Sequence, residues 1–217
     1  MSAAGALAMR RLRAGTGAGL ALLIAACGAT PHAARSPTAT RLPPDYLPLT
    51  IGAGPRYRPA ATSARVRAAA PIDGQSCSKR AGDRFGAHLE AFAHQHVVAI
   101  PAGIGVSPPL TLGSDARVLG GRCFYPATTT DPTGVIDVRR GARETLGELF
   151  DIWGQALGRR VIARFRAPAG SVVVAYVDGH RFTADPRAIL LVRHERIVLE
   201  VASRVPPHRV YLFPKGV

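Results

Sequence analysis

Two β-prone runs, Val172 to Val177 and His180 to Thr183, meet at Asp178-Gly179. A two-residue Asp-Gly link between such runs predicts a hairpin closed by a type I′ turn, which needs positive φ at both central positions. Val172, Val174 and Tyr176 alternate with Val173 and Ala175. Neither face of that strand is charged, so it reads as buried on both sides. β structure is therefore the expected basis of the fold. Ile197–Val201, Val161–Phe165, Gly134–Val138 and Val210–Phe213 add further strand signals.

Residues 85–100 carry two patterns. Phe85, Leu89, Phe92 and His96 have helical spacing, while Val97, Val98 and Ile100 favour a strand. An internal match favours the strand: Ala91 to His96 aligns with Ala175 to His180, and Val98 with Phe182. The chain thus reads as two similar hairpins. One segment reads as helix. Thr145 and Glu148 fit a capping box, and Leu146, Leu149, Phe150, Trp153 and Leu157 form an apolar stripe. Gly158 is the expected stop, with Arg159 and Arg160 complementing the dipole. Glu144, Glu148 and Asp151 fall on the opposite face, where carboxylates are ordinarily solvated. The expected class is α+β: mainly β, with one amphipathic helix packed on a sheet.

The N-terminal part is of another kind. Arg10, Arg11 and Arg13 precede an uncharged stretch, Ala14 to Ala26, containing Leu20, Leu22, Leu23 and Ile24. A basic start before a short apolar run reads as a secretory signal, too short to span a membrane. Leu23-Ile24-Ala25-Ala26-Cys27 resembles the bacterial lipobox, whose cysteine receives diacylglycerol. The division expected is a signal over 1–26, a tether over 27–71 and one domain over 72–217. The tether carries eight prolines among scattered Ala, Thr and Arg, a composition that does not fold alone. As a flexible chain it reaches roughly 35–40 Å. Leu47, Leu49 and Ile51 alternate within it, the pattern of an edge strand or of a linker with incidental hydrophobes.

Charge follows the same division. The chain carries 28 Lys+Arg against 14 Asp+Glu, a net +14. Nine arginines lie before residue 72, opposed there only by Asp45. The excess belongs largely to the tails, which suits an anionic membrane surface or nucleic acid. Export and the scarcity of aromatics among the arginines argue against nucleic acid. An acylated Cys27 would leave Cys77 and Cys123 either as a disulfide in an oxidising compartment or as buried thiols. Their loop-like flanks favour the bridge, worth up to roughly 4 kcal/mol by chain entropy.

Several motifs together resemble a family of bacterial exported proteins of unassigned function. They are the helix Glu144-Thr145-Leu146-Gly147-Glu148-Leu149-Phe150-Asp151-Ile152-Trp153-Gly154-Gln155, the turn Ile100-Pro101-Ala102-Gly103-Ile104-Gly105-Val106, and Tyr176-Val177-Asp178-Gly179 with Asp185-Pro186-Arg187. The resemblance covers about residues 72–202. The family's pattern includes a His-rich strand, His-Thr-His-Asp and Ile-His. This chain instead has Arg84-Phe85-Gly86-Ala87-His88-Leu89, Thr128-Thr129-Thr130-Asp131 and Ile136-Asp137. Clustered imidazoles suit a transition metal such as copper or zinc. Only His88 and Asp131 stand at matching positions, with His94 and His96, at i,i+2, either supplementing them or lying solvated beside a turn.

The chain contains no Gly-x-Ser-x-Gly, His-Glu-x-x-His, Cys-x-x-Cys or phosphate-binding loop. Its first expected role is a membrane-anchored envelope lipoprotein, held extracytoplasmically by Cys27, with a non-enzymatic binding or structural domain and an envelope protein as partner. The alternative is a metal-binding domain degenerate at its histidine cluster.

Overall fold

The computed structural model describes residues 62–115, 117–204 and 211–216. The signal, Cys27, the alternating Leu47–Ile51 run and most of the tether lie outside the described residues. Among those described, no helix is long and apolar enough to cross a membrane.

The fold is mainly β. Its principal sheet has seven strands: β1 (Arg84–Ala93), β2 (His96–Val97), β3 (Ala127–Thr128), β4 (Val135–Arg139), β5 (Val174–Val177), β6 (His180–Phe182) and β7 (Arg196–Val201). The order is β6-β5-β7-β1-β4-β3, with β2 paired to the end of β1. β1 runs parallel to β7 and antiparallel to β4 and β2. It pairs with β4 over Arg84–His88 and with β7 over His88–Ala93. His88 is therefore bracketed by Val135 on one side and Arg196 on the other.

Alternation explains why the ambiguous 85–100 stretch is a strand. A strand sends successive side chains to opposite faces. Leu89, Ala91 and Ala93 join Ile136, Val138, Ala175, Ile197, Leu199 and Val201 in one buried cluster. A helix over the same residues would carry the bulky, charged and small residues of this segment onto one another's faces. The turn after β1 has positive φ at His94 and Gln95, and the turn after β5 at Asp178 and Gly179.

Among the described residues there are two α-helices, where the sequence predicts one. α2 (Leu146–Trp153) starts at Thr145, whose hydroxyl accepts from the Glu148 N–H while the Glu148 carboxylate accepts from the Thr145 N–H. It ends at Gly154 in the left-handed region, four residues before the expected Gly158. Arg159 and Arg160 therefore lie beyond its last turn, and Leu157 belongs to a short strand. Leu146, Leu149, Phe150 and Ile152 lie in the same buried cluster as the apolar face of the sheet. α1 (Ala64–Ala68) lies inside the stretch read as tether. Ser63 caps it and Val66 is buried in the main cluster. The Tyr125 hydroxyl donates to the Ala70 carbonyl, so residues 62–71 are part of the folded body.

Three strand expectations change. Val161–Phe165 is a tight hairpin, Val161–Ile162 against Phe165–Arg166, turned by Ala163 at positive φ. Val172 is exposed and precedes β5, so only the Val173 and Ala175 side of that segment is buried. Residues 211–213 are not a strand, and Val210 is not described. Cys77 and Cys123 form a disulfide with Cα atoms 5.5 Å apart. It ties the segment after α1 to the strand at Cys123–Phe124, which pairs with Val106–Ser107.

Candidate functional site

The face of the principal sheet opposite the apolar cluster is ionisable. Alternation puts Arg84, His88 and Glu90 of β1 there, with Asp137 of β4 and Thr128 of β3. Unpaired charges are costly to bury, so each group needs a partner or a shifted pKa.

Arg84 is met by acceptors. Its guanidinium donates to the carbonyls of Tyr125 (3.0 Å), Pro126 (3.1 Å) and Asp137 (2.8 Å), and to Thr128 Oγ1 (3.1 Å). Burial still pushes its pKa down to about 10. Asp137, 7 % exposed, accepts from the Thr130 hydroxyl at 3.2 Å. Its carboxyl is raised by burial, partly offset by that hydrogen bond and by Arg84.

His88 is the central group. It is 4 % exposed, and burial pushes its pKa down to about 4. It is therefore neutral at physiological pH. Nε2 lies 3.0 Å from the Thr133 carbonyl, which only accepts, so Nε2 carries the proton. Gly134 makes this approach possible: with φ +86°, a Cβ there would lie 2.4 Å from the Leu89 carbonyl and 3.2 Å from His88 Nε2. The Tyr211 ring stacks on the imidazole with centroids 3.5 Å apart and planes 14° from parallel. Phe213 meets it edge-on at 6.5 Å and stacks on His194 at 4.6 Å. Burial raises the Tyr211 phenol.

Beside His88 the sheet has a notch. β4 stops at Val135, and β2 pairs only at the far end of β1. A cavity of about 220 Å³ occupies the gap, lined by His88, Glu90, Phe92, Val98, Pro132 and Thr133 among others. Its walls are mostly apolar with a few polar groups, the usual make-up of a small-ligand site, although it falls below the common size range.

The candidate metal residues do not converge. Asp131 is near His88 through Thr133, whose N–H donates to Asp131 Oδ1 at 3.1 Å. Its other oxygen faces Arg117 Nη2 at 3.1 Å. His94 sits in the turn after β1, its ring 6.4 Å from Phe165, and His96 is exposed on β2. Six residues of strand separate His88 from His94, roughly 20 Å. The four residues thus fall into two places. Among the described residues no three His, Cys, Asp or Glu side chains gather as a metal-holding group. Cys27 lies outside the described residues.

The three carboxylates read as one helix face also have structural partners, and Glu144 lies before the N-cap of α2. Glu144 is buried and accepts from Gln75 at 2.5 Å, Glu148 caps α2, and Asp151 pairs with Arg187. The family-like turn is structural too. The Ile104 N–H donates to Thr129 Oγ1 at 3.1 Å, and that hydroxyl donates to the Pro101 carbonyl at 2.7 Å. Motif reading misses Arg84, Thr128, Thr130 and Asp137 as a set. Once β1 is a strand, the i,i+4 spacing of Arg84 and His88 puts both on one face. Tyr211 carries no such signal, because its partner is distant in sequence.

Compared with protein-family models, curated proteins and solved structures, the chain matches none.

Proposed function

We propose that this chain is an extracytoplasmic lipoprotein of the bacterial envelope, anchored through acylated Cys27, whose domain binds a partner rather than catalysing a reaction. One observation carries the reading. The Cys77–Cys123 bridge pairs two of the three cysteines and leaves Cys27, which ends the apolar run as a lipobox cysteine does. Disulfides persist in oxidising compartments, which the signal would reach. Two or more acyl chains hold firmly, since each buried CH₂ contributes about 0.8 kcal/mol. The motif likeness supports a degenerate member of the exported family, with two related hairpins and α2 packed on the sheet.

The notch beside His88 is the binding site we favour. It offers apolar walls and a neutral imidazole, which suit a small, largely uncharged group. The arrangement lacks the features of acid–base catalysis: the His88 Nε2 proton is committed to a carbonyl, and Asp137 and Arg84 are held in place.

Fatty-acid labelling of cells expressing the wild type and Cys27→Ser tests the anchor. Label and membrane attachment should both disappear in the variant; label that survives overturns the reading. Metal analysis of untagged protein separates the alternative. Stoichiometric copper or zinc, lost in His88→Ala, would replace this proposal with a metal-binding one.

A further inference from the structure

Leu190 and Val192 are 41 % and 47 % exposed on a segment that is otherwise pinned. The Leu146 N–H donates to the Ile189 carbonyl and the Leu191 N–H to the Glu144 carbonyl, both at 2.8 Å. Ile189 and Leu191 are buried in the main cluster. In an extended segment this alternation drives the residues between them outward. The exposed apolar pair is thus fixed by the fold. Beside it an open groove of about 370 Å³ is lined by Phe85, Ala142, Arg143, Leu190, Val192 and Arg193. Arg143 and Arg193 are exposed, and no described residue of the lining is acidic. The nearest carboxylate in sequence, Glu144, is buried against Gln75.

We infer that this patch docks on an anionic phospholipid surface, with Leu190 and Val192 entering the headgroup layer and Arg143 and Arg193 meeting phosphates. The inference rests on the lipid-anchor reading for its choice of occupant. Apolar residues flanked by cations match an interface that is apolar below and negative above. An anchored domain is also held at high effective concentration over the bilayer, so a small patch is enough.

Amide hydrogen exchange on the full-length acylated protein tests this. It is reconstituted into vesicles of phosphatidylcholine alone, or of equal phosphatidylcholine and phosphatidylglycerol. Residues 189–193 should exchange several-fold more slowly on the phosphatidylglycerol vesicles. In Arg143→Glu/Arg193→Glu the docked-to-undocked ratio should fall by about thirtyfold or more, since each cation near such a surface contributes about 1 kcal/mol. Leu190→Ser/Val192→Ser should also lose the protection, and Arg181→Glu on β6 should keep it. Equal exchange on both vesicles, or protection that survives the double charge reversal, would overturn the inference. So would protection without vesicles that fades on dilution, which would indicate a second copy of the chain. The mass of the N-terminal peptide reports separately whether Cys27 is acylated. Loss of the anchor reading and loss of the patch are therefore distinguishable.

Discussion

β1 shows two surfaces of one strand meeting opposite physical demands. On one side Leu89, Ala91 and Ala93 pack into a continuous apolar cluster. On the other, Arg84 and His88 are withdrawn from water among carbonyls, hydroxyls and aromatic rings. The first surface tolerates any well-shaped hydrocarbon, because the hydrophobic effect has no direction. The second depends on individual partners, because a buried polar group left alone costs about 1–3 kcal/mol. The apolar surface thus holds the sheet together, while the polar surface is where this sheet can be specific.

The largest effects should come from the apolar side. Leu199→Ala removes a fully buried side chain and should cost about 2–5 kcal/mol in denaturant unfolding. Arg84→Leu tests the polar side at nearly the same scale. It strips three carbonyls and Thr128 of a donor and should cost about 3 kcal/mol. If Arg84→Leu were neutral, water would be replacing the guanidinium, and the contrast between the surfaces would collapse.

How far the sequence discloses each surface follows from the same contrast. The apolar pattern is local. Val135-Ile136, Ile197–Val201 and the Asp178-Gly179 turn announce strands within a few residues, and Thr145 with Glu148 marks the start of α2. Its end at Gly154 was hidden because Leu157 extends the apolar stripe into a separate short strand. Ala163 turning at positive φ likewise made one strand signal into a hairpin. The polar surface is non-local. Arg84 finds its acceptors more than 40 residues away, and His88 finds Thr133 and Tyr211. No window along the chain contains both partners. The histidine pattern was legible as residues but not as distances: His88 lies within β1 and His94 in the turn beyond its end, and the strand between them separates the two.

pH acts on two buried groups in opposite senses. His88 is held at about 4, below the 6.5 of an unfolded chain. The unfolded state therefore binds a proton first. Stability from this group is complete above pH 6.5 and is lost as pH falls towards 4, by up to about 3 kcal/mol. Glu195 works in the opposite sense. It is 9 % exposed, its Oε2 has no partner among the described residues, and burial lifts its pKa to about 7. Here the folded state holds its proton longer, so stability falls as pH rises from 4.5 through 7. His88→Leu should flatten the acid limb of a melting-temperature profile. Glu195→Gln should raise the melting temperature above pH 7, by about 3 °C for about 1 kcal/mol, and leave it unchanged near pH 4. A Glu195→Gln gain equal at both pH values would show that packing, not charge, sets the difference.

The smallest effect asks what keeps His88 dry. Tyr211 covers the ring face, whereas the carbonyl of Thr133 and the backbone at Gly134 close its edge. Tyr211→Ala should cost about 1 kcal/mol in stacking, yet it should move the imidazole pKa upward from about 4 towards 6.5, which NMR titration reads directly. Phe213→Ala should move His88 less, since that ring touches it only edge-on and stacks instead on His194. The two variants divide the burial of His88 between the sheet and the segment 211–216. An imidazole that stays near 4 without Tyr211 would mean that the sheet alone desolvates it. The polar surface would then be as self-sufficient as the apolar one, and residues 211–216 would be a cover rather than a part of the site.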